Sequence, residues 1–228
     1  MYYSVLVASQ RFRGNDTLTY EWPDHLASGQ IVSIPLQNKQ VLGIIESTSN
    51  KPSFTTKKIT FVWPISIPTQ SMKLHTWLCH YYPASIGLIT ELFTPPSITK
   101  KMLIKKLPKP KHTPVVLPPL TDEQDKTLQK IRNNLGSSIL LHGDTGTGKT
   151  RIYVELAKET LESGKSVLIL TPEIGLTAPL LDTFVSTFGH KVLVTHSDMT
   201  LSNRRDVWLT ANNDNKGLII IGPRSALF

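Results

Sequence analysis

The run Ser138-Ile-Leu-Leu-His142 leads directly into Gly143-Asp144-Thr145-Gly146-Thr147-Gly148-Lys149-Thr150. The second part is a complete phosphate-loop pattern, Gly-x-x-x-x-Gly-Lys-Thr. The apolar run before it predicts a buried strand, and the pattern after it predicts a helix from Lys149 to about Ser163, ended by Gly164. In such a loop the glycines let backbone N–H groups turn inward around phosphates, and the helix N-terminus adds partial positive charge. Lys149 is then placed for the β- and γ-phosphates of a nucleotide, and the Thr150 hydroxyl for Mg²⁺. The expected cofactors are ATP and Mg²⁺. All eight residues from Gly143 to Thr150 are candidate nucleotide ligands.

Outward from this loop the pattern alternates between helix and strand. Thr121 to Leu135 reads as a helix, with Thr121 and Gln124 spaced as a capping box. Val167–Leu170, Lys191–Val194 and Leu218–Ile221 read as apolar strands. Helices are expected over 176–188 and 201–209. Continuous apolar strands between helices predict a parallel sheet covered on both faces, an α/β domain.

The first 65 or so residues read differently. Short β-branched runs, among them Ser4–Ala8, Thr17–Trp22, Ile31–Pro35, Val41–Ile45 and Ile59–Trp63, are separated by turn residues such as Gly14-Asn15-Asp16. Five short strands fit a small barrel or curled sheet. Leu74, Trp77, Leu78 and Tyr81 then fall at helical spacing, and a shorter helical pattern runs from Ile86 to Phe93. The expected division is a β-rich, OB-like domain over 1–95, a Pro/Lys-rich linker over 96–119 and a nucleotide-binding domain over 120–228.

Charge is unevenly spread. Of the 228 residues, 1–112 hold 13 Lys+Arg against 5 Asp+Glu, whereas 113–228 hold 12 against 12, so the whole excess of +8 lies in the first half. That distribution points to a polyanion partner for the first half, or to a merely soluble basic surface. The single Cys79 forms no internal disulfide, and no Cys/His group has zinc spacing. No apolar run approaches the ~18 residues of a membrane span. A cytoplasmic protein with no membrane partner is expected.

Several runs resemble the primosomal protein N′ family of replication-restart DNA helicases, superfamily 2 translocases. They are Leu120-Thr-Asp-Glu-Gln124, the phosphate loop, Gly164 to Thr177 with its Pro172-Glu-Ile-Gly-Leu-Thr177, Thr195-His-Ser197, Arg204 with Trp208, and Ile221-Gly-Pro-Arg-Ser-Ala-Leu-Phe228. Tyr81-Tyr82-Pro83-Ala-Ser-Ile-Gly87 resembles the family's DNA 3′-end-binding domain more loosely. The resemblance implies that residues 120–228 form part of a RecA-like ATP-binding lobe. It implies an adenine contact for Gln124, whose other reading is the capping box alone. It also implies contacts to single-stranded DNA from Pro172, Glu173, Gly175, Thr177, Arg224 and Ser225, whose other reading is ordinary strand-to-helix turns. His196 and Trp208 read as loop packing and core. Lys58 matches the family's 3′-end pocket, but the pocket's Phe-Asp-Tyr signature falls on Leu18-Thr19-Tyr20 and a pocket glycine falls on Gln37. By the same resemblance the partners are single-stranded or forked DNA, other primosome proteins and single-stranded DNA-binding protein. The family's Asp-Glu box and second motor lobe have no counterpart within these residues, so this stretch alone is expected to turn ATP over poorly. The alternative is a truncated, nucleotide-responsive single-stranded DNA-binding or scaffold protein without hydrolysis.

Overall fold

The computed structural model describes residues 1–99, 117–172, 178–214 and 216–228. The chain divides into two compact units, Met1–Pro96 with Phe228, and Ser97–Leu227. Most of the expected linker and the loop 173–177 lie outside the described residues.

The first unit is a curled six-stranded sheet. Its strands are β1 (Tyr2–Ala8), β2 (Leu18–Glu21), β3 (Gln30–Leu36), β4 (Lys39–Ser49), β5 (Lys57–Lys58) and β6 (Phe61–Ser66), in the order β5-β2-β1-β4-β3-β6. All neighbours are antiparallel except β2 and β5. Curvature enters at register shifts between Ser4 and Val5 on β1 and between Gln30 and Val32 on β3, where an extra residue bends a strand. A single segment then covers both edges. Lys57 and Lys58 pair with β2, Ile59 N–H donates to Glu21 O (3.0 Å), and Thr60 N–H donates to Ser33 O on β3 (2.9 Å). Phe61 continues the pairing with Ser33. With its edges met by one continuous segment, the sheet has few open backbone groups to offer another strand. Tyr3, Val5, Val7, Val32, Ile34 and Ile45 fill the interior of the curl.

Two helices complete this unit, α1 (Thr69–Tyr81) and α2 (Ile86–Leu92). They meet through buried His75 of α1, whose Nε2 lies 2.9 Å from Thr90 Oγ1 of α2. The Thr90 hydroxyl donates to Ile86 O (2.7 Å), so it accepts from His75 and fixes the imidazole proton on Nε2. Burial pushes the His75 pKa down to about 4.

Among the described residues, the second unit is built on a three-stranded parallel sheet. Its strands are β7 (Val167–Leu170), β8 (Val192–Val194) and β9 (Ile219–Gly222), in the order β7-β9-β8. Helices α3 (Asp122–Arg132), α4 (Lys149–Glu162), α5 (Ala178–Phe188) and α6 (Leu201–Asn213) accompany it. Val154, Ala157 and Leu161 of α4 pack with Phe184 of α5 and with Ile219 and Ile221 of β9. Another face of α4 carries Ile152 against Leu128 and Ile131 of α3. The two helices are also joined by Arg132, which donates from Nε and Nη2 to the Glu159 carboxylate (2.5–3.3 Å).

One expectation is corrected here. Ser138–His142 is not a strand, and Leu140 is 89% exposed. A parallel strand takes its hydrogen bonds from neighbours distant in sequence, and among the described residues no strand lies beside this run. Leu141 alone packs, against the α3–α4 cluster. Among the described residues the last strand, β9, is central, bonded on both sides, with Ile219, Ile221 and Gly222 buried. The smaller unit also has a sixth strand, β5, that a two-residue Lys-Lys run did not announce.

The depressed His75 pKa makes a pH prediction. The unfolded chain binds a proton near the ordinary value of about 6.5, whereas the folded one resists it until about pH 4. This contribution to stability is therefore full above that range and lost as pH falls from about 6.5 towards 4. Glu46, whose carboxyl is raised by burial and by Asp16, titrates in the opposite sense, so the comparison that isolates His75 is with a variant. The melting temperature of the wild type is expected to drop further between pH 7.5 and 5 than that of His75→Gln. Equal drops would place the histidine in contact with water.

Candidate nucleotide and DNA site

The phosphate loop has its own local logic without the expected strand. Gly146 (φ +87°) and Gly148 (φ +83°) adopt left-handed backbone, which residues with a Cβ rarely take. Gly148 is the N-cap of α4, and Arg151 N–H donates to its carbonyl (2.9 Å) to open the helix. The Thr147 hydroxyl donates to Asp144 O (2.8 Å) and closes the loop below. Lys149 folds back over it, with Nζ donating to Gly143 O (2.6 Å) and Asp144 O (2.7 Å). An ammonium held on two carbonyls, at the start of a helix with its N–H groups directed outward, is a ready site for an anion that competes for the same donors. Thr150 follows in the first turn, half-buried.

Gln124 joins this loop through α3. Thr121 Oγ1 accepts from Gln124 N–H (3.3 Å), and Gln124 Oε1 accepts from Thr121 N–H (3.0 Å), so the capping box is complete. The other end of the same amide faces the loop: a Cβ added to Gly148 would sit 2.3 Å from Gln124 Nε2. The capping role fixes the amide rather than turning it away from the nucleotide loop. The two ends of the side-chain amide thus have different neighbours, Thr121 at Oε1 and Gly148 near Nε2.

A second group of residues assembles at the C-terminal ends of the three parallel strands, the position where open α/β sheets present their ligand-binding loops. Thr171 N–H donates to Gly222 O (2.9 Å), and Thr195 N–H donates to Ile221 O (3.0 Å). A Cβ on Gly222 would meet Thr195 O at 2.4 Å, so only glycine lets the turns after β8 and β9 approach this closely. Pro172, Arg224 and Ser225 are all exposed at this end, the last two in a short 3₁₀ turn, Arg224–Leu227. His196 lies in the turn after β8, and its Nδ1 is buried with no partner among the described residues. Trp208 is half-buried on α6. Glu173, Gly175 and Thr177 lie outside the described residues.

In the first unit, Lys58 is well exposed and lies 3.6 Å from Glu21. The register that pairs Lys58 with Glu21 sets it beside β2, which carries Leu18-Thr19-Tyr20. Tyr20 is spent on the core: it is buried, and its hydroxyl donates to Pro35 O (3.1 Å). Thr19 offers no carboxylate to Lys58, and Glu21, two residues on along the same strand, is the acid that meets it. Gln37 takes φ +50° in the two-residue turn between β3 and β4. Glycine takes such backbone at less cost than Gln37 does.

The charge excess also sits elsewhere than the half-chain count implied. Residues 1–95 carry seven Lys+Arg against five Asp+Glu, while 100–111 alone carry six lysines and no acid. The folded first unit is therefore only mildly basic.

Comparison with known proteins agrees with this arrangement. Residues 4–95 match the family described as a 3′ DNA-binding domain, and residues 118–225 match the type III restriction enzyme, res subunit. A replication restart protein PriA from Rickettsia conorii is 32% identical over 203 residues, covering 88% of this chain and 31% of its own length. The Helicobacter pylori protein of the same name is 31% identical over 211 residues, 92% of this chain and 32% of its own length. The Bacillus subtilis one is 40% identical over 114 residues. The chain thus combines a curled DNA-binding-type domain with a helicase-type α/β domain, and it belongs to the PriA family of replication restart proteins. It spans about a third of the length of the first two relatives.

Gln37→Gly tests whether the turn is strained. Relief of left-handed backbone, less the added freedom of the unfolded chain, is expected to raise stability by about 0.5–1 kcal/mol. The urea midpoint should rise with an unchanged slope. An unchanged midpoint with tighter DNA binding would assign the position to a ligand instead.

Proposed function

We propose that this chain is the DNA-binding and ATP-binding portion of a replication-restart DNA helicase, acting in primosome assembly at stalled forks. Residues 1–95 would engage DNA, 96–119 would link, and 120–228 would bind the nucleotide. The observation that carries the reading is the loop 143–150, with Lys149 held on loop carbonyls at the opening of α4.

The residues present fit ATP with Mg²⁺. The positive-φ glycines leave room for phosphate oxygens to approach the backbone. Loop N–H groups would bind the phosphates, and Lys149 would exchange Gly143 O and Asp144 O for β- and γ-phosphate oxygens. The Thr150 hydroxyl would ligate the magnesium ion, whose charge neutralises the phosphates. Gln124, with Oε1 fixed by Thr121, would offer Nε2 to the adenine base. At the sheet's C-terminal end, Pro172, Glu173, Gly175, Thr177, Arg224 and Ser225 would follow the backbone of single-stranded DNA by amide, hydroxyl and guanidinium contacts that read no sequence. Lys58 would add a phosphate contact from the first unit. The partners would be single-stranded or forked DNA, with other primosome proteins and single-stranded DNA-binding protein. The protein would work in the cytoplasm, where the chromosome of a bacterium is copied.

Lys149→Ala removes the ammonium and leaves the loop glycines in place. Loss of one charge-assisted contact costs about 1.5–3 kcal/mol, so affinity for a fluorescent ATP analogue with Mg²⁺ should fall roughly ten- to a hundredfold. Equal affinity in the wild type and the variant would remove the nucleotide assignment.

A further inference from the structure

The helical spacing of Leu74, Trp77, Leu78 and Tyr81 suggests one apolar face turned to the core. The structure splits it. His75 and Leu78 are the buried residues of α1, whereas Trp77 is 52% exposed and Tyr81 65% exposed. Tyr82, the C-cap, is 51% exposed. The three rings form one group. Trp77 and Tyr81 stack with centroids 4.8 Å apart and planes 14° from parallel. Tyr82 stands edge-on to Tyr81 at 5.0 Å and to Trp77 at 6.3 Å. Water contact on three adjacent rings is unfavourable, and monomers rarely display such a patch without a use for it.

Three observations narrow the occupant. The rings are held in place before any ligand arrives: two sit one helical turn apart, and the third is fixed by Tyr82 N–H donating to Leu78 O (2.9 Å). Lys73 precedes Trp77 by one further turn and is exposed, so a cation and two rings follow one another along the helix. Thr69–Tyr81 contains no Asp or Glu, so nothing on the helix repels a phosphate chain. Flat parallel rings beside a lysine, on a helix without acids, match a strand whose flat bases alternate with phosphates. The mild charge of residues 1–95 leaves little affinity to phosphate contacts alone, and ring stacking supplies a source that does not depend on charge.

We propose that Trp77, Tyr81 and Tyr82 form a stacking platform for unpaired bases of single-stranded DNA, with Lys73 meeting the adjoining phosphate. This rests on the DNA-binding reading given above. Duplex DNA hides its base faces in the stack, so the platform selects unpaired strands without regard to sequence. A protein partner that covered the same rings would make no such distinction between nucleic acids.

The test uses the full 228-residue chain with three fluorescein-labelled probes, a short oligothymidine, an abasic strand of the same length and a duplex, each titrated at several salt concentrations. Circular dichroism confirms that the exposed-site variants stay folded. Trp77→Ala and Tyr81→Ala are each expected to weaken oligothymidine binding about tenfold. Their affinities for the abasic strand and the duplex should stay at the wild-type values, and the salt slope should not change, because no charge is lost. Trp77→Phe should retain most of the affinity. Lys73→Gln should instead flatten the salt slope by about 0.7. Unchanged oligothymidine binding in Trp77→Ala and Tyr81→Ala, with salt-dependent DNA binding intact, would overturn the platform and leave the broader reading standing. Equal losses on all three probes would also overturn it. No binding of any probe by the wild type at low salt would overturn both.

Discussion

A strand in a parallel sheet borrows its backbone hydrogen bonds from neighbours far away in the chain. In the second unit β9 satisfies that requirement on both sides, with β7 on one edge and β8 on the other. Because all three run the same way, their C-terminal ends are brought together, and the turns at Thr171, Thr195 and Gly222 are tied by backbone hydrogen bonds. The same requirement explains Ser138–His142, an apolar run beside which no described strand lies. The phosphate loop is consequently positioned from the helix side. Leu141 and Ile152 lock it to α3 and α4, the Arg132–Glu159 pair joins those helices, and Gln124 reaches Gly148 from α3.

The first unit meets the problem of open backbone groups differently. Its curled sheet is finished by the segment from Lys57 to Ser66, which serves β2 with its first residues and β3 with the rest. That closure decides which side chains remain for a ligand. Tyr20 is drawn into the core and Lys58 is left outside. α1 then buries His75 and Leu78 and leaves Trp77 and Tyr81 to the solvent. The two units present different groups: a glycine-rich loop opening a helix in one, and an exposed lysine with three exposed rings in the other.

The legible parts of the sequence were those whose physics is local. The phosphate loop is defined by glycines and a lysine at fixed spacing, and Gly146 and Gly148 take the left-handed backbone that glycine permits. The capping box at Thr121 and Gln124 was equally readable, because it involves four consecutive residues. The illegible parts depend on distant partners. β5 is a strand only because β2 lies beside it, and Ser138–His142 lacks a described neighbour despite strand-like composition. Periodicity placed Trp77 and Leu78 on a helix but did not say which would be covered, since adjacent positions both bordered the apolar stripe. The half-chain charge count merged a mildly basic first unit with a lysine-rich tract, because it ran across the boundary of that unit. The left-handed backbone of Gln37 belongs to the turn between β3 and β4, and a glutamine does not announce it.

A nucleotide held by residues 143–150 and the start of α3 would shield the backbone amides there from water. Hydrogen–deuterium exchange of the whole chain, with and without ATP and Mg²⁺, tests it most directly, since exchange reports protection residue by residue and needs no catalysis. Bound nucleotide should slow exchange across the amides of Gly143 to Arg151 and around Thr121 to Gln124, with the curled sheet of the first unit unchanged. Protection confined to other segments, or none at saturating nucleotide, would contradict it.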